Sequence, residues 1–339
     1  MSQITRREFL KVTGTVGALA YLSPLEALAA KNIAATLAIA STNYSWAVAF
    51  VANAGGYFEK NGVEVTERDF TNGRDAMQAM LADSATFSTT TDTPLVFSLL
   101  RGISLHAVLD FTRHTRDMVI ASIEGRGVSA NDPQSLKGKK IGTPTGTSGQ
   151  YLVSRYLKYA GLKDSDVTLI NIAPSDLVNT LVRGDIDAFS WSLMSAKAAI
   201  DKSGGKAFLL TQEGFEKFFV SHHLLLTNDQ TIAKRGELLE RTVKAFLDAD
   251  KRIKEDTKWA DLISARIRMP AEEIQKSAKH LDFSVNFNES LIDDLVIEAQ
   301  WAIESGLSPE PKGDLRKILR GVIYELPLKK IAADRVNLS

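Results

Sequence analysis

The stretch Ser135–Trp191 limits the possible fold more than any other part of the chain. It reads SLKGKKIGTPTGTSGQYLVSRYLKYAGLKDSDVTLINIAPSDLVNTLVRGDIDAFSW. Lys139–Gly142 has strand character and runs into a hydroxyl-rich loop, Thr143–Ser148. The loop opens a helix with Leu152, Val153, Tyr156 and Leu157 at helical spacing, ended by Gly161 in the place of a left-handed cap. Val167–Ile172 supplies a second strand, and Ser175 caps a helix carrying Leu177, Val178, Leu181 and Val182 that stops at Gly184. Ile186–Phe189 is a third strand, finishing at Ser190 and Trp191. Strands alternating with helices at this spacing imply a parallel sheet with covering helices. Ligands of such sheets sit at the carboxyl ends of the strands, beside helix N-termini.

The loop is where chemistry is expected. Thr143, Thr145, Thr147 and Ser148 bring four hydroxyls to one helix start, and Gly146 and Gly149 let the backbone approach a bound group. Free N–H groups and the positive end of the helix dipole favour a small anion there. The loop alone also reads as a plain cap, with Thr147 or Ser148 as N-cap residue and the glycines making the turn. It is not a P-loop, because no lysine follows the glycines.

At the other end of the chain, Thr5-Arg6-Arg7-Glu8-Phe9-Leu10-Lys11 precedes the mildly apolar run 12–25 and Ala27-Leu28-Ala29. Paired arginines, a weak apolar region and a small-x-small site look like a twin-arginine export signal over residues 1–29. The apolar run is short for the ~30 Å hydrocarbon core of a bilayer, which favours export over a membrane anchor. The expected location is the periplasm. There is no cysteine, hence no lipid attachment site and no disulfide framework. Without Arg6, Arg7, Lys11, Glu8 and Glu26, the 41 basic and 41 acidic residues fall to a net charge of −1. Such a chain offers no electrostatic footprint for nucleic acid.

The first half repeats the pattern. Asn32–Ala40 alternates as a strand and is followed by a polar loop at 41–45 and an apolar helix, Trp46–Asn53. Val63–Thr66 is a strand, Met77, Met80 and Leu81 mark a helix, and Thr86–Thr89 is a buried strand. That strand ends in Thr90-Thr91-Asp92-Thr93, with Pro94 at the first position of the next helix and Leu105–Leu109 as a further strand. Polar loops at 41–45, 90–93 and 143–148 therefore all fall where strands hand over to helices.

Four segments carry a resemblance. GYFEKNGVEV at 56–65, SLKGKKIG at 135–142, LVRGDIDA at 181–188 and TTDTP at 90–94 resemble, in order, segments of the periplasmic solute-binding proteins of ABC importers. The similar group is the one that takes nitrate, taurine and aliphatic sulfonates and includes thiamine-pyrimidine binders. The resemblance implies an α/β fold of the type II periplasmic binding class, two lobes around a ligand cleft joined by a two-stranded hinge. Lobe one is expected over 31–124 plus 226–339 and lobe two over 125–225, with hinge strands near Val119–Ile123 and Val220–Thr227. From Asp229 the chain reads as helices at Arg235–Glu255, Pro270–His280, Glu289–Ser305 and Asp314–Tyr324, expected to pad lobe one and present surface to a membrane permease.

The resemblance also implies a binding site of Asn43, Tyr44, Thr91, Asp92, Thr145, Gly146, Thr147 and Ser148, with Trp191 at the cleft wall and His222 as a hinge-side candidate. Neighbours in an extended segment face opposite ways, so at most one of His222 and His223 meets the cleft. One departure concerns Ser84–Thr91, which is richer in hydroxyls than the family pattern. Asp92 suits an anionic ligand poorly, and either caps the Pro94 helix or reads an amine or hydroxyl. Arg113 and Arg116 read as loop residues, and Trp46 as core. No metal or catalytic motif appears, and no cofactor is expected. The expected function is that of a monomeric, non-catalytic binder of a small solute, an organic sulfonate or similar anion, feeding an importer. The alternative is an exported enzyme of the same fold, such as a thiamine-pyrimidine-synthase-like protein.

Overall fold

In the computed structural model, residues 32–40 and 43–338 are described. The expected export signal, and Ser41 and Thr42 of the first polar loop, lie outside the described residues.

Two sheets share one connectivity. The first contains β1 (Ile33–Ala40), β2 (Val63–Phe70), β3 (Phe87–Thr91), β4 (His106–His114), β10 (Ser221–Thr227) and the short β11 (Leu281–Asp282), in the order β11-β4-β10-β3-β1-β2. The second contains β5 (Met118–Ile123), β6 (Lys140–Thr143), β7 (Thr168–Asn171), β8 (Ala188–Ser192) and β9 (Ala207–Leu209), in the order β7-β6-β8-β5-β9. In each, the pairs around the first strand are parallel, and one strand arriving from the other lobe runs antiparallel between two neighbours. That strand is β10 in the first sheet and β5 in the second. The two-lobed α/β architecture expected from the sequence is the one found.

The hydroxyl-rich third strand has a structural reason. The β1–β3 ladder is short, pairing Leu37 and Ala38 with Phe87 and Ser88. At its two ends the backbone N–H groups of Thr36 and Ala40 donate to the side-chain oxygens of Thr86 and Thr89, at 3.2 and 3.1 Å. Threonine hydroxyls thus satisfy buried donors that the ladder leaves over.

The chain passes between the sheets earlier than expected. It leaves the first sheet after His114 and enters the second at Met118; it leaves the second after Leu209 and re-enters the first at Ser221. Met118–Ile123 therefore lies in the second sheet, and Ser221–Leu225 in the first. Each incoming strand, MVIAS or SHHLLLT, is apolar enough to be buried by a strand on either side, so it pairs as soon as it arrives.

The helix ends follow the local signals. Gly161, one residue past the Ala160 C-cap, and Gly184, the C-cap of Leu177–Arg183, have φ of +72° and +89°, the left-handed conformation that glycine adopts without strain. Asp176, and not Ser175, stands at the start of that helix. The C-terminal helices Gly236–Glu255, Ala271–Ala278, Glu289–Glu304 and Leu315–Gly321 fall where expected, and Asp261–Ile267 and Leu326–Ile331 are additional. Gly236–Glu255 packs on the helix Ala47–Ala54 of the first lobe. Others reach the second lobe: Trp301 Nε1 donates to Ser154 Oγ at 2.7 Å, and Lys197 pairs with Glu273 at 3.2 Å. Among the described residues no helix is long and apolar enough to cross a membrane.

Candidate functional site

Between the two sheets lies a small cavity. Five helices begin on its wall, as the strand-to-helix loops required. Ser45 and Trp46 precede the helix Ala47–Ala54; Asn72, Gly73 and Arg74 start Gly73–Leu81; Thr91 and Pro94 start Asp92–Leu100. Thr147 and Ser148 start Ser148–Tyr159, and Ser192 caps Leu193–Lys202. Each N-terminus carries N–H groups without intrahelical partners and a partial positive charge. Among the described residues, Arg74 is the one lysine or arginine on the wall, and Asp117 the one carboxylate.

Both crossings between the lobes reach the cavity, through His114, Asp117 and Met118 on one side and Ser221 and His223 on the other. Trp46 stacks on His223, ring centroids 3.9 Å apart at 20°. The hydrogen bonds fix the histidine tautomers. The Ser45 carbonyl accepts from His223 Nδ1 at 3.1 Å, so in the neutral ring Nε2 is the acceptor. His114 Nε2 then donates to it at 3.3 Å, which leaves His114 Nδ1 as a lone-pair acceptor with no partner. Burial keeps both rings neutral: His114 is pushed down to about 3, and His223 well below the usual imidazole range. Burial pushes the Asp117 carboxyl up to about 6, against the pull of Ser45, Tyr44 and Asn43. Asn43 Nδ2 donates to Asp117 Oδ2.

The cleft is bridged. Ser148 Oγ donates to Thr91 Oγ1 at 2.7 Å, and Arg74 donates to the Thr145 carbonyl at the rim. Gly149 allows the close approach of strand and helix. A Cβ there would lie 2.3 Å from Thr143 Oγ1 and 3.1 Å from both the Ser190 carbonyl and the Trp191 ring.

Of the residues expected at the site, Asn43, Thr91, Thr147, Ser148 and Trp191 line the cavity. Thr145 and Gly146 line an adjoining groove outside it, with Arg74 common to both. Tyr44 is buried and does not line the cavity; burial and the neighbouring Asp117 drive its phenol pKa far up.

His222 and Asp92 face away from the cleft. His222 Nδ1 bonds Asp110 at 2.7 Å and Nε2 bonds Asp294 at 3.0 Å. Burial alone would lower its pKa, but these carboxylates and Asp92 outweigh it and raise it to about 10, so His222 is an imidazolium. Asp92 accepts from the His222 backbone N–H at 2.9 Å, Ser221 Oγ at 3.2 Å and Thr93 N–H at 3.1 Å. It is turned into the first lobe, so its charge does not oppose an anion in the cavity. Thr93 donates to Glu298, whose burial, next to Asp92, holds its pKa well above the ordinary range. The histidine at the cleft is His223, as the alternation along β10 allows.

Sequence reasoning missed Arg74, His114, Asp117 and the cavity role of Trp46. Arg113 is exposed on β4 and Arg116 pairs with Glu216 at 3.5 Å; neither lines the cavity. The polar string His114-Thr115-Arg116-Asp117 between two apolar strands was the available signal, since a crossing is where a chain leaves one core before entering the next.

Comparison with known proteins gives a consistent set of likenesses. A family model described as NMT1/THI5 like matches residues 43–258. A putative binding protein of Brucella abortus is 28% identical over 280 residues, 81% of this chain and 83% of that protein. The taurine-binding periplasmic protein of Escherichia coli is 25% identical over 158 residues, 45% of this chain and 47% of that one. The alkanesulfonate-binding protein SsuA from Xanthomonas axonopodis pv. citri, solved bound to MOPS, matches with a TM-score of 0.72 at 17% identity, over 88% of this chain and 100% of that one. At that identity the likeness is one of fold.

Proposed function

We propose, for a chain that belongs to the NMT1/THI5-like family, that it is the solute-binding component of an ABC-type importer for a small organic sulfonate or similar oxyanion. One observation carries the reading. Five helix N-termini and Arg74 converge on a single cavity between two sheets. N–H groups, hydroxyls and a guanidinium are the donors that hold a tetrahedral or planar oxyanion without needing a lysine.

The relatives' names support the same class, since one is a taurine-binding and another an alkanesulfonate-binding protein. Binding works by closure. The lobes hinge at residues 115–117 and 210–220, and the Ser148–Thr91 bond forms as the cleft shuts on the solute. The protein is read as binding without turnover. The enzyme alternative rests on a cysteine-rich iron motif, and this sequence has no cysteine. With residues 1–29 as an export signal, its place is the periplasm as a monomer, handing solute to a membrane permease.

A thermal-shift screen against alkanesulfonates, taurine, nitrate, aromatic acids and the thiamine pyrimidine tests this. A solute at a hundred times its Kd adds about 2.7 kcal/mol of stability. A rise in Tm with one or more oxyanions is expected; a rise with none of them contradicts the reading.

A further inference from the structure

The helix Glu289–Glu304 touches both lobes. Glu298 and Trp301, three residues apart, share one of its faces. Trp301 meets the second lobe through its bond to Ser154 and a ring contact with Tyr151, centroids 4.8 Å apart. Glu298 meets Thr93 of the first. Thr93 Oγ1 also lies 3.4 Å from Ser148 Oγ, which lies 2.7 Å from Thr91 Oγ1. A carboxyl and three hydroxyls thus form one line, Glu298–Thr93–Ser148–Thr91, running from the C-terminal helix to the cavity wall. Glu298, Thr93 and Ser148 are 1%, 0% and 3% exposed, so water does not complete their bonding.

A hydroxyl has a single hydrogen, and that of Thr93 has two acceptors within reach. An ionised Glu298 only accepts, so it takes this hydrogen and Ser148 receives none. A protonated Glu298 donates to Thr93 Oγ1, and the Thr93 hydrogen turns to Ser148. That second state adds a Thr93–Ser148 bond between the lobes beside the Ser148–Thr91 bond. It leaves the Thr91 hydrogen for a group in the cavity, and it places no negative charge behind an oxyanion site.

We propose that Glu298 is a proton-operated latch: its protonated carboxyl turns the hydroxyl line toward the cavity and favours the closed, solute-holding form, and its ionisation releases one of two inter-lobe bonds. The effect on solute affinity rests on the oxyanion reading; the effect on closure does not. The surroundings favour the proton. Asp92, beside Thr93, and Asp294, four residues back on the same helix, repel a charge on Glu298, while His222 on β10 opposes them but is bonded to Asp110 and Asp294. From the helix Ser148–Tyr159, Tyr151 stays a neutral phenol and Arg155 lies over its ring. From Leu315–Gly321, Arg316 pairs with Glu289 and Asp293. Burial, then Asp92, hold the Glu298 carboxyl well above the usual carboxylate range. Affinity for an oxyanion falls as pH rises through that raised value.

The test titrates ethanesulfonate calorimetrically into wild type, Glu298→Gln and Glu298→Ala at pH 7 and 9.5. The glutamine cannot ionise, and its amide donates to Thr93 at every pH; the alanine has no donor. At pH 7, Glu298→Gln is expected to bind like wild type and Glu298→Ala about fivefold more weakly, the worth of one hydrogen bond. From pH 7 to 9.5, wild type is expected to lose about threefold or more in affinity relative to Glu298→Gln, again within the worth of one hydrogen bond. Asp117 and His222 are present in both proteins, so the comparison isolates Glu298. Equal pH profiles, or Glu298→Gln binding as weakly as Glu298→Ala, overturn the latch and leave the oxyanion reading standing. Binding by none of the three proteins counts against the oxyanion reading alone, and small-angle scattering of the solute-free chain then decides the latch. Wild type is expected to open between pH 7 and 9.5 and Glu298→Gln to stay as it is; equal behaviour overturns the latch. The wild-type and glutamine comparison stands even where Glu298→Ala fails to fold.

Discussion

Ser148 donates its hydroxyl hydrogen to Thr91 across the cleft at 2.7 Å, joining the start of a helix in one lobe to the start of a helix in the other. Under the proposed closure the bond forms as the lobes shut, so it contributes to the closed state and little to the folding of either lobe. Ser148→Ala is therefore expected to weaken solute binding by about 1 kcal/mol, roughly fivefold, with unfolding free energy changed by less than that. Calorimetry and urea unfolding on the same variant separate the two effects. A variant that loses stability but keeps wild-type affinity contradicts the clamp.

His222 makes the opposite kind of contribution. It is a buried cation between Asp110 and Asp294 and away from the cavity, so removing it leaves carboxylates without a counter-charge. His222→Gln is expected to cost about 3–5 kcal/mol. The folded protein holds this proton up to about pH 10, whereas the free side chain releases it near 6.5. The raised pKa means the proton's stabilisation is complete below about pH 6.5 and drains away as pH rises toward 10. Urea unfolding of wild type at pH 6, 8 and 9.5 should show this decline, and His222→Gln should show a smaller one. Parallel pH profiles for the two proteins would rule out the buried imidazolium.

Gly149→Ala tests the packing beneath the cleft. The added methyl meets Thr143 Oγ1 at 2.3 Å and the Ser190 carbonyl at 3.1 Å, so the start of the Ser148 helix has to move. A loss of about 1–3 kcal/mol in stability is expected, as for overpacked cores, together with weaker binding as Ser148 and Trp191 shift. Adding Thr143→Ala removes the tightest contact and should restore part of both. No recovery in the double variant would mean that the backbone contact with Ser190 dominates.

The carboxyl of Asp117 titrates near pH 6, inside an accessible range. The facing groups Asn43, Tyr44 and Ser45 do not change charge there, and His114 and His223 are already neutral, with burial holding them low. Protonation removes a negative charge from the cavity wall, so affinity for a simple oxyanion such as ethanesulfonate is expected to rise as pH drops from 7 to 5. Calorimetric titrations at the two pH values check the sign directly, and weaker binding at pH 5 would contradict it.

Part of the cavity wall could be read from local signals, because those parts are local. The N-terminus of Ser148–Tyr159, the hydroxyls of Thr147 and Ser148, and Thr91 at the end of a buried strand follow from residues within one turn of each other. What could not be read depended on distant partners. Asp92 turns inward because Ser221 and His222, some 130 positions later, supply its donors. The choice between His222 and His223 depends on the register of β10 against β3 and β4, and a shift of one residue exchanges their faces. Trp46 sits in an apolar run and is indeed buried, but its exposed edge belongs to the cavity because His223 arrives from a strand far along the chain. Arg74 lies at the start of the helix carrying Met77, Met80 and Leu81, and nothing local places it opposite the Thr145 loop. The lobe boundaries shifted for the same reason: pairing begins as soon as an apolar strand finds its second neighbour.

The most direct measurement is a calorimetric titration of small oxyanions, organosulfonates first, into the wild-type chain and into a Thr91→Ala/Ser148→Ala variant. Saturable one-site binding to wild type, weakened at least tenfold in a variant that still unfolds cooperatively, is the expected result. Undiminished binding to the variant would place the solute somewhere other than among these helix N-termini, and an absence of binding by any oxyanion would remove the cavity's proposed role.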